Sequence, residues 1–246
     1  MHGFSCNIPR LIPTAATAVC LILTLAASGR ADVESPGILR IPGAVEIRSG
    51  WEIPSKGYCD QPYVVVLKDD TWVCTMTTGP RHEGQKGQHI VSTRSWDKGR
   101  SWEPLVDIEP ANGPEASWVM PFLTEYGRIY AFYTYNADNL REVRAETEYA
   151  RKRVDTLGVY AFRYSDDGAR TWSDRRWIIP IRATEIDRAN PYGGEVRFFW
   201  GVGKPIVHQE SMILGFSKVG RFGADFLAET ESWFLQIGRA SCRERV

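Results

Sequence analysis

The feature that most constrains the fold is an eight-residue pattern, Ser-x-Asp-x-Gly-x-Ser/Thr-Trp, which fits residues 95–102 and, with its glycine one position earlier, residues 165–172. The pattern suits a hairpin turn, because an aspartate can accept backbone N–H groups across the turn and a glycine supplies a positive φ. The tryptophan is expected to fill space between neighbouring layers. We predict a structural role for Ser95, Asp97, Gly99, Trp102, Ser165, Asp167, Gly168 and Trp172.

Three β-hairpins are predicted from runs of β-branched and aromatic residues separated by turn residues, at positions 61–77, 121–134 and 205–216. Each hairpin opens on a proline, where a missing backbone donor is tolerated. Strong helical periodicity is rare, so the chain is predicted to be all-β. The prolines are Pro62, Pro121 and Pro205.

A segment of different composition lies between Asn136 and Thr156. It is rich in helix-forming residues and in charges of opposite sign. This composition predicts a polar helical or mobile insertion.

The N-terminal residues 1–31 are predicted to form an export signal. Arg10 precedes an apolar run from Ala15 to Ala27, and small residues before Asp32 offer a cleavage site. The run is short for a bilayer span, which favours a cleaved signal over a membrane anchor. The mature protein is therefore expected to be secreted or periplasmic, with no membrane span.

The last ten residues, 237–246, match the translation of a common sequencing adapter. A short basic tail is the alternative interpretation. On the first interpretation, the domain organisation is a signal peptide at 1–31, a lead-in segment at 32–56 and one globular region at 57–236.

Charge and cysteine content exclude two classes of protein. The whole chain carries 30 Lys+Arg and 30 Asp+Glu, and removing both terminal segments leaves the remainder acidic. This balance argues against a nucleic-acid binder. Only Cys59 and Cys74 remain in the globular region; whether they form a disulfide stays open, and their spacing is no metal signature. No metal or cofactor is predicted.

The two octapeptides resemble the Asp boxes of the sialidase (neuraminidase) superfamily. This resemblance covers about residues 58–216 and implies four-stranded blades around an axis, usually six of them. The chain would then hold about three blades of an incomplete propeller: 57–108, 114–180 and a third from about Phe198.

The resemblance also implies where substrate contacts lie. Sialidases clamp the substrate carboxylate with three arginines and use a Tyr–Glu pair with an acid/base aspartate. The first clamp arginine lies in an Arg-Ile-Pro motif, which Arg40 could supply. The proline in the matching register, Pro62, instead follows Asp60. An acid there would repel a sialic acid carboxylate, so a neutral or differently charged sugar is favoured.

The loop at residues 78–89 is the strongest candidate for chemistry, because it gathers acidic, basic and amide groups. The resemblance implies a clamp arginine and the acid/base carboxylate in this loop, and Arg81 and Glu83 lie close to those positions, with Glu where the family has Asp. Arg81 and His82 are assigned to substrate binding and Glu83 to acid/base catalysis, with Asp60 as a further catalytic candidate.

A second short segment precedes the inner strand of the second blade. Glu115 is a further catalytic candidate there, and Trp118 could stack on a sugar ring or pack between blades.

The favoured function is an exported sialidase-like glycoside hydrolase acting on glycans. A non-catalytic glycan- or protein-binding propeller is the alternative, since fold does not fix function. A lyase using basic residues such as His82 is a third possibility. The sequence gives no indication of oligomeric state.

Overall fold

The computed structural model describes residues 50–80, 82–209, 211–222 and 227–238. These residues belong to one compact unit, Arg48–Val246. The predicted signal segment, the lead-in segment up to residue 49, Arg40, Arg81 and residues 239–246 lie outside the described residues.

The first blade is a four-stranded antiparallel sheet whose strands follow one another in chain order. A turn at Asp69 and Asp70 joins the first two strands, as predicted, and Asp70 has a φ of 62°. The first strand begins three residues earlier than expected. The strands are β1 (Tyr58–Val66), β2 (Trp72–Gly79), β3 (His89–Ser95) and β4 (Val106–Asp107).

The second blade repeats this meander. The predicted insertion separates its second and third strands and contains one short helix and one 3₁₀ turn. Three of its apolar side chains, Val143, Ala150 and Val154, are buried, so the insertion packs onto the fold. The elements are β5 (Ala116–Leu123), β6 (Ile129–Tyr135), α1 (Glu148–Arg151), the 3₁₀ turn (Val154–Thr156), β7 (Leu157–Ser165) and β8 (Trp177–Ile178).

The third blade is joined to the second through a connecting strand. β9 pairs with β7 on one side and β11 on the other, giving a continuous eight-stranded sheet. The third predicted hairpin therefore begins after β9, and Ile237 ends β12 opposite Met212. The elements are α2 (Glu185–Arg188), β9 (Arg197–Trp200), β10 (Ile206–His208), β11 (Ser211–Phe222) and β12 (Leu227–Ile237).

The architecture is thus all-β, a partial β-propeller of about three blades, as the sequence predicted. Apolar side chains fill the spaces between blades. One cluster, including Val73, Ile90 and Ala161, joins the first blade to the second. Another, including Met120, Phe199 and Leu214, joins the second to the third.

The inner strands of the first two blades carry matching irregularities. The β1–β2 register shifts between Asp60 and Tyr63, and the β5–β6 register shifts between Ser117 and Met120. Gln61 and Trp118 lie inside these shifts with φ values of 52° and 62°. The two bulges are therefore equivalent features of two blades.

The prolines are not equivalent, contrary to the sequence interpretation. Pro62 lies within the first bulge, whereas Pro121 lies inside β5 opposite Ala131. Both are on the first strand of a blade, which pairs with only one neighbour in the meander, so a missing N–H is tolerated. Neither proline marks the start of its strand.

Within the described ranges, Cys59 and Cys74 are both free thiols. Cys59 lies opposite Thr78, and Cys74 lies opposite Val64, so the hairpin register separates them.

Each octapeptide forms a turn held by its aspartate. Asp97 Oδ1 accepts from the backbone N–H of Ser101 at 2.8 Å, and Oδ2 accepts from the Ser101 hydroxyl at 2.6 Å. Asp167 accepts the same two bonds from Thr171, at 2.9 and 2.7 Å. Hydrogen bonds from Ser101 hold the pKa of Asp97 down to about 2.

The glycine is not at the same position in the two turns. Lys98 and Gly99 have φ values of 61° and 82°, and Gly168 and Ala169 have values of 71° and 65°. Each turn therefore needs two consecutive left-handed residues, and one glycine at either position supports the pair.

The tryptophan of the second octapeptide connects two blades. Trp172 is buried, and its indole N–H donates to the Ser92 hydroxyl on β3 of the first blade at 2.9 Å. Trp172 therefore packs between the first and second blades, where the sequence predicted a space-filling tryptophan.

Replacing Asp167 with alanine should destabilise the protein by about 1–3 kcal/mol, because several hydrogen bonds that hold the turn are lost. Asp166→Ala is the matched control. Asp166 is exposed and forms an ion pair with Arg128 through two hydrogen bonds, and a surface pair should contribute under about 1 kcal/mol. Urea denaturation should separate the two variants, and equal losses would contradict the structural role of Asp167.

Candidate functional site

Three segments of the chain meet at one end of the blades: the start of β1, the loop between β2 and β3, and the insertion of the second blade. The register pairs Tyr58 with Gly79 at this end and Val66 with Trp72 at the other. Ser95, which begins the first octapeptide, lies opposite Trp72. The octapeptide turn therefore lies at the end of the blade away from the three segments.

The β2–β3 loop is held in one shape by its own hydrogen bonds. The Gln88 side chain accepts from Gly84 N at 3.1 Å and donates to the His82 carbonyl at 3.1 Å. Gly84 has a φ of 79°. The backbone on both sides of Glu83 is therefore fixed by hydrogen bonds to the Gln88 side chain.

Arg153 joins this loop to the insertion. Its side chain is 1% exposed, yet its Nη2 donates to Glu83 Oε1 at 2.8 Å. Nε and Nη2 also donate to the two carboxylate oxygens of Asp155, each at 3.1 Å. Nη1 donates to the Tyr149 hydroxyl at 3.2 Å. One buried guanidinium thus holds two carboxylates from different blades.

The start of β1 adds a further carboxylate and a phenol. Asp60 is half-buried and hydrogen-bonded to Tyr58. Burial raises the pKa of the Tyr58 phenol, and the charges of Asp60, Glu83 and Asp155 raise it further. The five residues Tyr58, Asp60, Glu83, Arg153 and Asp155 form what we call the carboxylate cluster.

The two accessible carboxyl groups of the cluster have shifted ionisation. Burial raises the pKa of Glu83, against the lowering effect of Arg153, and Asp155 and Asp60 raise it further. Burial likewise raises the pKa of Asp60, while its bond with Tyr58 lowers it. Such groups hold protons at higher pH than ordinary side-chain carboxyls, as general acids require.

Trp118 contacts the carboxylate cluster through Asp155. It is 3% exposed, and its indole N–H donates to the Asp155 carbonyl at 3.1 Å. Its ring meets Trp200 edge to face at 5.9 Å between centroids. Trp118 is thus packed inside the protein, which is the alternative that the sequence left open beside stacking on a sugar ring.

Glu115 lies next to the cluster in a separate set of contacts. Its carboxylate is fully buried and accepts from Arg141 at 2.6 Å, Asn136 at 3.3 Å and Gly87 N at 3.3 Å. It ties the β2–β3 loop to the insertion. Its catalytic role stays a prediction.

The histidines of the loop differ in environment. His82 is exposed, so its predicted substrate contact stays a prediction. His89 is buried, which lowers its pKa, and its ring nitrogens lie 3.1 Å from the Gly87 carbonyl and 3.0 Å from Lys56 Nζ.

Sequence reasoning brought Asp60 and Glu83 forward, and the structure places both in the cluster. It missed Tyr58, Arg153 and Asp155. Arg153 and Glu83 are 70 residues apart, and no local pattern connects them. The only available signal was the density of charge in the insertion.

Among the described residues, no group of three or more His, Cys, Asp or Glu is arranged to hold a metal ion. Within the same ranges, no helix has the length and apolar character needed to cross a bilayer. An open groove of about 500 Å³ lies at the octapeptide end, bordered by Leu67, Leu123 and Gly168, away from the cluster.

No protein-family model and no curated protein matches the chain. Among solved structures, a protein of unknown function from Dyadobacter fermentans is 14% identical, with a TM-score of 0.57, and the match covers 78% of this chain and 54% of that one. A Hadza microbial sialidase is 17% identical, with a TM-score of 0.49, covering 73% and 35%. A family 25 polysaccharide lyase, an ulvan lyase, is 12% identical, with a TM-score of 0.44, covering 70% and 37%.

At these identities the likeness to the Dyadobacter protein concerns the fold alone. This chain spans about half of that protein and about a third of the sialidase.

Proposed function

We propose that this chain is the N-terminal part of an exported Asp-box propeller that hydrolyses glycosidic bonds. The observation that carries the proposal is the carboxylate cluster, in which Asp60 and Glu83 are both half-buried with raised pKa values. Glycoside hydrolysis generally requires two carboxyl groups, one protonated and one ionised.

Glu83 is the proposed general acid, which donates a proton to the oxygen of the leaving group. Asp60 is the second carboxyl and remains ionised when Glu83 is protonated. Because the Asp60 charge raises the pKa of Glu83, the two groups are expected to titrate as a pair. The phenol of Tyr58 lies beside Asp60, and its interaction with that carboxyl lowers the Asp60 pKa against the effect of burial.

The substrate proposed is a sugar without a carboxylate at the reacting residue. The cluster holds three carboxylates and one guanidinium, and Asp155 and Glu83 already occupy that guanidinium. A substrate carboxylate about 4 Å from an unpaired acid would be disfavoured by about 1–4 kcal/mol. Sialic acid and uronic acids are therefore expected to be poor substrates.

The Asp-box assignment is part of the same proposal. Its support is the shared aspartate hydrogen-bonding pattern of the two octapeptides. Closure by further blades and export through residues 1–31 are proposed with it, and Arg40 and Arg81 stay candidate substrate ligands.

The test uses the complete protein that carries this chain and a panel of chromogenic glycosides bearing neutral, amino, uronic and sialic sugars. Release of chromophore from a neutral glycoside, with little release from the sialoside, is expected. Glycan binding without any release would identify a non-catalytic propeller, and an unsaturated product would identify a lyase; either overturns the proposal.

A further inference from the structure

We infer that Arg153 is a positioning residue for Glu83, so that the second blade orients the acid carried by the first. The inference rests on the proposed function. It goes beyond that proposal by placing control of the acid in the insertion between β6 and β7.

The loop backbone is shaped to admit Arg153. A Cβ on Gly84 would lie 2.5 Å from Arg153 Cδ and 2.8 Å from Nε, closer than real atoms approach. Arg153 can therefore adopt its observed position only because residue 84 is a glycine. With Arg153 packed against Gly84, the guanidinium lies next to Glu83, the residue that precedes Gly84.

The guanidinium is itself held from two sides. Asp155 accepts two of its N–H groups, and the Asp155 carbonyl accepts from the Trp118 indole. The Trp118 backbone N–H donates to Thr77 Oγ1 at 3.0 Å, which returns the chain of contacts to β2. Arginine suits this place because its planar fork donates to two carboxylates at once, which lysine cannot reproduce.

The charged and titratable groups that face Glu83 come from two elements. Arg153 and Asp155 approach from the insertion, and Asp60 and Tyr58 from β1. Arg153 favours the ionised form of Glu83, and both aspartates oppose it. Removing Arg153 together with Asp155 should therefore raise the pKa of Glu83, since the influence of Arg153 is the larger of the two.

The experiment is a ¹³C NMR titration of the Glu83 carboxyl in the complete protein, with its signal assigned by its loss in Glu83→Gln. In the double variant Arg153→Gln/Asp155→Asn, which removes the buried arginine together with its buried aspartate partner, the Glu83 pKa should rise. Lys152→Gln is the control, because it removes an exposed neighbouring charge that pairs with Glu148. It should leave the titration unchanged.

Arg153→Lys separates geometry from charge and does not depend on the double variant folding. It should keep the Glu83 pKa near that of the parent protein while kcat falls at least tenfold with KM little changed, since a displaced acid transfers its proton poorly. An unchanged Glu83 pKa in a folded double variant, or full kcat in Arg153→Lys, would overturn the inference. The titration needs no substrate, so an inactive protein with the expected pKa shift would count against the proposed function alone.

Discussion

Glu83→Gln should lower kcat/KM of the complete protein by about 10²- to 10⁴-fold on its glycoside substrate, the range that a positioned proton donor contributes. Glutamine preserves the size of the side chain and its oxygen still accepts a bond from Arg153, while the transferable proton is lost. Steady-state kinetics with a glycoside that has a poor leaving group is the appropriate measurement. The fold should be intact, as judged by circular dichroism.

The matched control for Glu83→Gln is Lys86→Gln, which changes an exposed residue of the same loop. Its kinetics should stay within about twofold of the parent protein. If Glu83→Gln kept more than a tenth of the activity, the acid would have to be sought among other groups, with Asp60 the next to be replaced.

The pH dependence of kcat/KM is an independent test of Glu83 as the general acid. Because burial raises the pKa of Glu83, its proton should be retained above the pH at which an ordinary glutamate ionises. The alkaline limb of kcat/KM should therefore lie above that pH and disappear in Glu83→Gln. A limb at the ordinary glutamate position would place the acid in a more exposed group.

The parts of the fold that the sequence predicted are those set by neighbouring residues. The octapeptide turns and the β1–β2 hairpin depend on aspartates and on left-handed positions within a few residues of each other. Where the pattern was applied strictly it failed: Ala169 takes the position that Gly99 occupies in the first turn. A backbone requirement shared by two adjacent residues can be met in more than one way.

The candidate site was only half predictable for the same reason. Asp60 and Glu83 lie near recognisable hairpins, but the residues that fix them come from an insertion with no repeat to align. Burial of Arg153 is a product of tertiary packing, which a charged segment of sequence does not reveal. Glu109 was missed as well, although it joins two blades.

Glu109→Gln should destabilise the complete protein by about 3 kcal/mol. Glu109 is 1% exposed, and Arg176 donates to both of its oxygens at 2.6 Å, while Arg163 forms an ion pair at 3.1 Å and the Tyr133 hydroxyl donates to it. Glu109 follows the last strand of the first blade, and its three partners belong to the second. Removing the charge of Glu109 leaves the charges of Arg163 and Arg176 between the blades without a carboxylate partner. The loss of folding free energy should therefore be far larger than for breaking a surface ion pair.

Glu148→Gln is the control for this effect, because Glu148 also pairs with a cation but is exposed. Its loss should stay below about 1 kcal/mol. Urea denaturation followed by tryptophan fluorescence measures the stability of both variants. A loss for Glu109→Gln no greater than that for Glu148→Gln would mean that the Glu109 ion pairs contribute nothing beyond their own desolvation to holding the two blades together.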